Sequence, residues 1–374
     1  MGNNSISQET SKRITALRFL LIVFVVFIHN CFTLEGVAEN FEQTGEMIVF
    51  KPTVLSEWIQ LFISQGIARC AVPLFFLFAA FLQAKKNDKY SVLLKKRAKS
   101  LLIPYFIWLG LYFLYPHFAK YLISIIKPAL LKHPNDIFTH WTALDWLHKF
   151  FGYETGTRKD GDLSLPQLAV QFWFVRDLLI LTVLSPFIKA FIKRFPLFFF
   201  ALISVLYLLP VQIYFVRMQA LFFYACGLYW GMFNFNLFEK ADKISFAESI
   251  ALFLISFIAT YLFFDNTSSM YWIMVLASCL LFLKISKLII NNEKTFNIAT
   301  YFSGFSFFLF AIHLPVLNSI HTKLWLHFLP MTNGFFCLAE YFGVAFLNIA
   351  LGTLIGIALK KLCPRLFAIL TGGR

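Results

Sequence analysis

The chain has 374 residues, of which 59% are hydrophobic and only 14% are charged. Soluble globular domains carry about one quarter charged residues, so this composition excludes an ordinary soluble protein and indicates an integral membrane protein. The net charge of +14 would suggest nucleic-acid binding in a soluble chain. Here, however, the Lys and Arg residues lie between apolar runs, as membrane topology requires, and we expect no nucleic-acid partner.

Apolar runs of about twenty residues recur along the chain, and each is long enough for a helix to cross a hydrocarbon core about 30 Å thick. No segment alternates with the period of two that a membrane barrel requires. The sequence therefore predicts an all-α integral membrane protein, with one membrane domain over residues 1–374 and no appended soluble domain. The ten predicted transmembrane helices lie at residues 14–32, 57–84, 101–126, 167–188, 196–215, 219–237, 244–264, 270–290, 297–320 and 336–359.

The second and third spans are too long for simple crossings, which predicts an irregular piece in each of them. Pro73 and Pro104 are the candidate break points, because proline removes a helical hydrogen bond.

The distribution of Lys and Arg predicts the orientation, because positive residues are retained on the cytoplasmic side. With the N-terminus inside, 22 of the 33 Lys and Arg residues fall in cytoplasmic segments, and both termini are cytoplasmic. The long loop at 116–166 then lies outside. The protein is expected to be a multi-pass protein of the cytoplasmic membrane, surrounded by lipid.

The six cysteines stand singly in or beside apolar spans, with no paired CxxC spacing. This pattern is typical of small core residues and of neither zinc ligands nor a disulfide framework. No metal site is predicted.

Two histidines, His29 and His313, lie within predicted spans. His29 follows Arg18 by eleven residues, about 20° past three full turns, so both side chains share one helix face about 16 Å apart. Ionisable groups in a membrane helix are costly, and such a pair is a functional hypothesis. His313 is expected toward the outer side, where the alternative is that its ring only bonds a neighbouring helix.

Five stretches resemble, in the expected order, the motifs of membrane acyltransferase family 3, the bacterial O-acyltransferases of cell-surface glycans. They are Arg18-x10-His29, Arg69 to Phe81 with Pro73, Lys96-Arg97-Ala-Lys99-Ser100 leading to Pro104-Tyr105, Phe172-Trp173-Phe174-Val-Arg176-Asp177, and Ser306 to Pro315 with His313. The chain departs from this family at four positions: Ala79 and Ala80 replace the usual Ser-Gly, Ser100 replaces an Arg, and Phe310 stands where Tyr is common.

The resemblance implies an acyl-CoA donor, most simply acetyl-CoA, on the cytoplasmic side, and a hydroxyl of a surface or lipid-linked glycan as acceptor. It implies that His29 and His313 are catalytic. Imidazole can act as a base or hold the acyl group, and the choice for His29 stays open. The same resemblance suggests that CoA phosphates bind the cytoplasmic cations Arg18, Lys96, Arg97 and Lys99. The alternative is that these charges serve only to keep their segments on the cytoplasmic side.

A polar acceptor cavity is expected from the residues Arg69, Trp173, Arg176, Asp177 and Ser306. Neighbouring helical residues differ by about 100°, so Arg176 and Asp177 are not expected to pair with each other. The structural alternative is a cross-helix pair of Asp177 with Arg69, or of Arg176 with a carboxylate such as Glu57. Glu248 and Glu340 are weaker candidates.

Two other functions are compatible with the sequence. A transporter or flippase would line its path with the same charged residues without covalent chemistry, although no symmetry between two halves is visible. A family member without catalysis is the other alternative, and the substitutions at Ala79, Ala80 and Ser100 favour it slightly.

Overall fold

The computed structural model describes residues 6–31, 53–86, 88–126, 150–151, 168–209, 216–264, 268–329 and 331–373. These residues form helices, and no strand occurs among them, which confirms the all-α prediction. Most of the predicted outer loop at 116–166 lies outside the described residues.

Fourteen helices are numbered here in chain order within that described part. They are α1 (Gln8–Ile28), α2 (Val54–Lys86), α3 (Tyr90–Arg97), α4 (Ile103–Ile126), α5 (Trp173–Arg194), α6 (Pro196–Leu208), α7 (Met218–Met232), α8 (Leu237–Asp242), α9 (Phe246–Phe263), α10 (Ser269–Asn291), α11 (Glu293–Ser303), α12 (Ser306–Phe328), α13 (Gly334–Leu362) and α14 (Pro364–Thr371).

Six helical stretches of the described residues are long and apolar enough to cross a membrane. They are α2, the stretch from α3 into α4, α9, α10, α12 and α13; α5 and α6, bent by 119°, would form a seventh span as a pair. The predicted count of ten and the orientation of the termini stay predictions. Helices α1 and α7 are not among these stretches. Helix α1 carries three cations over its first eleven residues, Lys12, Arg13 and Arg18, and α7 has only 15 residues.

Irregular turns interrupt three of the long helical stretches. In α2 the turn widens at Leu61–Gly66 and tightens at Ile67–Cys70, and a second wide turn, Ala98–Leu102, joins α3 to α4. Each lies a few residues before the proline that the sequence predicts as a break point, because a proline leaves a preceding carbonyl without its helical donor. The third wide turn, His313–Leu317, lies inside α12.

Helix α1 is central, since it packs against α2, α10, α11, α12 and α13. Helices α2 and α7 approach each other closely at Gly227, where a Cβ atom would lie 2.2 Å from the carbonyl oxygen of Leu77 and 2.9 Å from the Cβ of Ala80. Small residues at a membrane helix crossing permit such an approach. Ala80, at a position where the family that the sequence resembles usually has glycine, is thus accommodated by a glycine on the facing helix.

A buried ion pair fastens the N-terminal end of α1 to α8. Arg13 is fully buried and donates to both carboxylate oxygens of Asp242 at 2.9 Å. It also donates to the hydroxyl of Ser286 at 2.8 Å and to the carbonyl of Leu283 at 2.7 Å, both on α10. Arg13 is therefore a structural anchor, whereas the sequence indicated only that it is one of the cations retained on the cytoplasmic side.

Candidate active site at the end of helix α1

The structure brings His29 and His313 together, with ring centroids 5.5 Å apart. The two residues are 284 positions apart in the chain, so only the packing of α12 against α1 makes them neighbours. His313 is fully buried, and His29 is half-buried. Two adjacent imidazoles in a membrane domain form a candidate site for proton transfer.

Side chains from two other helices hold the end of α1, where the last carbonyls of a helix lack intrahelical partners. The Ser64 hydroxyl, in the wide turn of α2, donates to the carbonyl of Phe27 at 2.7 Å. The Asn318 amide, in α12, donates to the carbonyl of His29 at 3.4 Å. These contacts fix the main chain of His29 relative to α2 and α12.

The ring of His313 bonds its own helix rather than a neighbour. Its Nδ1 lies 2.8 Å from the carbonyl oxygen of Phe310 and 3.2 Å from that of Leu309. A carbonyl oxygen only accepts, so Nδ1 carries the hydrogen, and in the neutral ring Nε2 is left as an acceptor. Nε2 is buried and has no hydrogen-bond partner among the described residues, so its lone pair is not used within this part of the structure.

Sequence reasoning missed a chain of hydrogen bonds through His321 and two asparagines that ends at His29. His321 lies one residue beyond the predicted span at 297–320, but in the structure it belongs to α12 and is buried. Its Nδ1 lies 2.5 Å from Oδ1 of Asn348, whose Nδ2 donates to Oδ1 of Asn318 at 2.7 Å. Because the carbonyl of His29 only accepts, the donors along this chain all point toward it. No local pattern around His321 announces this network, since its members come from two helices.

The expectation that Arg176 and Asp177 do not pair with each other is wrong. Nε and Nη2 of Arg176 donate to Oδ1 of Asp177 at 3.0 and 2.8 Å, and both side chains are buried. The arginine is long enough to fold sideways across the first turn of α5, so the 100° offset of the Cα–Cβ bonds does not separate the charged groups. The other oxygen of Asp177 accepts from the main-chain N–H of Arg217 at 3.0 Å.

Arg69 therefore does not pair with Asp177. Its Nη2 donates to the side chain of Gln65, one turn earlier in α2, and its Nε is buried without a partner among the described residues. The guanidinium lies within electrostatic reach of His29, which puts it at the candidate site.

Trp173 and Ser306, which were both expected to line the acceptor cavity, have different surroundings in the structure. The guanidinium of Arg217 lies 4.0 Å from the ring centroid of Trp173, so one face of the indole is already covered. Ser306 is buried and its hydroxyl has no partner among the described residues. It precedes His313 by seven residues, about 10 Å along a helix, and so is not adjacent to the histidine pair.

The two acidic residues that the sequence ranked lower are now distinguished. Glu248 closes a capping box with Ser245 at the start of α9, which is a structural role. Glu340 is fully buried in α13, and neither carboxylate oxygen has a hydrogen-bond partner among the described residues. It interacts electrostatically with Cys31, two residues beyond His29, and therefore lies near the site.

The four cations expected to bind CoA do not form one cluster. Lys96 is exposed and pairs with Asp88 at 2.7 Å. Arg97 is half-buried and donates to the carbonyl of Ala79 at 3.3 Å, on α2. Arg18 and Lys99 are exposed, and neither has a hydrogen bond or ion pair to another described residue. Of the four, these two are best able to take an anionic ligand from outside.

The face of α1 between Arg18 and His29 is packed. The helix is continuous over Gln8–Ile28, so the predicted common face and the axial separation of about 16 Å hold. Ile22 and Val25 occupy the same face between the pair and are 4% and 5% exposed. A ligand that reached from one residue to the other would have to displace these two side chains.

Comparison with known proteins agrees with the motifs. Residues 11–359 match the sequence model of a protein family described as "Acyltransferase domain". The chain belongs to this acyltransferase family. The succinoglycan biosynthesis protein ExoH of Rhizobium meliloti (strain 1021) is 25% identical over 382 residues, which cover 98% of this chain and 93% of that relative. No solved structure matches the chain.

Membership of the family confirms the resemblance that the five stretches carry. The matched region extends from the start of α1 almost to the end of α13, so it contains both histidines and every helix that holds them. Together with the long apolar helices, it makes the protein a multi-pass membrane acyltransferase. The roles of individual residues remain predictions.

Proposed function

We propose that the protein transfers an acyl group, most simply acetyl, from acyl-CoA on the cytoplasmic side to a hydroxyl of a surface or lipid-linked glycan. The observation that carries this proposal is the buried, unpartnered Nε2 of His313 beside the ring of His29, with centroids 5.5 Å apart. A glycan acceptor is supported by the relative ExoH, whose name assigns it to succinoglycan biosynthesis.

The chemistry requires one proton to leave the acceptor hydroxyl and one to reach the CoA sulfur. In the proposed mechanism Nε2 of His313 takes the hydroxyl proton as the oxygen attacks the thioester carbonyl. The carbon–sulfur bond then breaks, and a protonated imidazole returns a proton to the thiolate, which gives an ester and free CoA. The ring of His29 lies beside that of His313, and in this mechanism it carries the proton from His313 to the sulfur of CoA.

Arg69 is a cation whose charge acts on His29. Its buried Nε lacks a partner among the described residues and its charge reaches His29. A fixed positive charge stabilises the oxyanion that develops on the thioester carbonyl, and more so where water is excluded. We propose this role for Arg69.

The donor's phosphates are proposed to bind Arg18, with support from Lys99. An exposed arginine without a carboxylate partner among the described residues is costly within a membrane helix, and a phosphate would offset that cost. Because Ile22 and Val25 are buried between Arg18 and His29, binding of the donor is expected to move these side chains.

The test is transfer of radiolabel from acetyl-CoA to membrane glycan in vesicles that contain the wild type, His29→Ala or His313→Ala. Loss of a positioned acid–base group costs about 10²- to 10⁴-fold, so both variants are expected to fall by at least about 10²-fold. His327→Ala is the matched control, because His327 is exposed at the end of α12, and it should keep wild-type activity.

Undiminished labelling in both histidine variants would refute the proposed site. Uptake or flipping of the glycan by the wild type without incorporation of label would instead support the transporter alternative.

A further inference from the structure

Helix α12 is broken immediately beside the candidate base. Pro315 has no N–H group, so the carbonyl of Ala311, four residues earlier, loses its helical donor. Leu314 adopts an extended conformation, with φ −132° and ψ 148°, so the main chain leaves the helical path at this residue. The break therefore leaves carbonyl groups of α12 to be satisfied by other donors.

Each of these carbonyls has a side-chain donor. The carbonyl of Phe310 accepts from Nδ1 of His313 at 2.8 Å. The carbonyl of Ala311 accepts from the hydroxyl of Tyr112, on α4, and from Nε2 of Gln171 at 3.2 Å. The carbonyl of Leu314, on the other side of the break, also accepts from Nε2 of Gln171.

Gln171 thus connects the two sides of the break. Its amide nitrogen carries two hydrogens, one for each carbonyl, and the two acceptors flank His313 in the chain. Gln171 is 1% exposed, and Tyr112 is 5% exposed. Both residues hydrogen-bond to the main chain from which the ring of His313 projects.

We propose that Gln171 and Tyr112 are positioning residues, which hold the break in α12 so that Nε2 of His313 stays directed at the reacting groups. This inference rests on the proposed function, because it assigns His313 the part of the base. Without the two donors, the buried carbonyl of Ala311 and the partly buried carbonyl of Leu314 would lose these side-chain partners. The segment would then shift to regain hydrogen bonds, and His313 would move with it.

The test measures kcat and KM in the vesicle assay for Gln171→Leu and Tyr112→Phe. A misplacement of about 1 Å can cost about 10²-fold, so Gln171→Leu is expected to lower kcat by between about tenfold and 10²-fold. KM for acetyl-CoA is expected to stay within about twofold, because the donor's anchor lies elsewhere. Gln171→His keeps one donor and should restore part of the loss. Tyr112→Phe, which leaves Gln171 in place, should lower kcat less.

Tyr207→Phe is the matched control. Tyr207 is 2% exposed, and its hydroxyl donates to the carbonyl of Trp272 at 3.2 Å, away from α12. The variant removes the same kind of bond as Tyr112→Phe and should leave kcat unchanged. A loss in Tyr207→Phe equal to that in Tyr112→Phe would mean a general loss of packing and would overturn the inference.

A double variant separates positioning from general stability. Gln171→Leu added to His313→Ala is expected to cost nothing further, because the residue to be positioned is gone. An additive loss would overturn the inference, as would wild-type kcat in Gln171→Leu. If His313→Ala loses its activity and Gln171→Leu keeps the wild-type kcat, only this inference fails; if the wild type transfers no label, the proposed function itself fails.

Discussion

Replacing Asp242 by asparagine is expected to destabilise the protein more than replacing Arg13 by methionine, although both changes break the same ion pair. The two variants differ in how deeply the remaining charge is buried and in which opposite charges it keeps. Arg13 is fully buried, whereas the Asp242 side chain is 19% exposed. Asp242 also binds Lys287 at 3.0 Å, so it retains a cation when Arg13 is removed.

The magnitudes follow from what stays buried. In Asp242→Asn, Arg13 retains one carboxylate among the described residues, that of Glu9 at 3.4 Å, and the side chain of Glu9 is 58% exposed. Leaving a buried charge without its partner costs about 3–5 kcal/mol, and the asparagine oxygen offsets part of this, so we expect about 3–4 kcal/mol. In Arg13→Met, Asp242 keeps Lys287 and some water, and about 2 kcal/mol is expected.

The assay is denaturant unfolding of purified variants in detergent micelles, followed by far-ultraviolet circular dichroism. Lys287→Met is the matched control. Lys287 is 49% exposed, and an exposed pair contributes less than about 1 kcal/mol. The double variant Arg13→Met with Asp242→Asn should cost less than the two single changes together, because neither charge is then left alone.

Two results would refute this reasoning. Equal or reversed destabilisation of the two single variants would mean that burial does not govern the cost of the broken pair. A loss in Lys287→Met as large as that in Asp242→Asn would mean that the exposed contact, and not the buried one, carries the stabilisation.

The same carboxylate predicts a pH dependence. Burial raises the pKa of Asp242, but the hydrogen bonds and charges of Arg13 and Lys287 outweigh it and hold the pKa below its usual value. Its stabilising contribution is therefore complete above the unfolded pKa of about 4 and is lost as the pH falls through the lower folded pKa; the thermal midpoint should fall in this range for the wild type and less for Asp242→Asn, and equal curves would contradict it. At the crossing of α2 and α7, Gly227→Ala would bring a Cβ atom to 2.2 Å from the carbonyl of Leu77 and should cost about 1–3 kcal/mol. Gly110→Ala, where no atom lies within 4 Å of the added Cβ, should cost nothing in the same unfolding measurement, and equal losses in both would exclude overpacking as the cause.

Much of the fold could be predicted from local properties of the sequence. Apolar runs indicated membrane helices because the length and polarity of a run depend only on neighbouring residues. The proline positions indicated irregular turns in the second and third spans for the same local reason. The boundaries of α6 and α7, at 208 and 232, fall short of the predicted ends at 215 and 237, because an apolar run does not show where a helix stops.

The candidate site was predicted only in part. Arg18 and His29 share one helix, so spacing alone predicted their common face. The pairing of Arg176 with Asp177 was missed because a periodicity argument describes the direction of Cβ atoms and not the reach of a long side chain. His321, Asn318 and Asn348 were missed because their hydrogen bonds join different helices.

Sequence by itself determined the class of the protein, its acyltransferase family and the separation of Arg18 from His29 along one helix. Only the tertiary structure decided that His313 lies beside His29, that Arg13 is an anchor, and that Gln171 satisfies both sides of the break in α12. The physical reason is that hydropathy and helical period are local, whereas a contact between helices depends on how separate segments pack. Such contacts decide which ring nitrogen is bonded and which is available for chemistry.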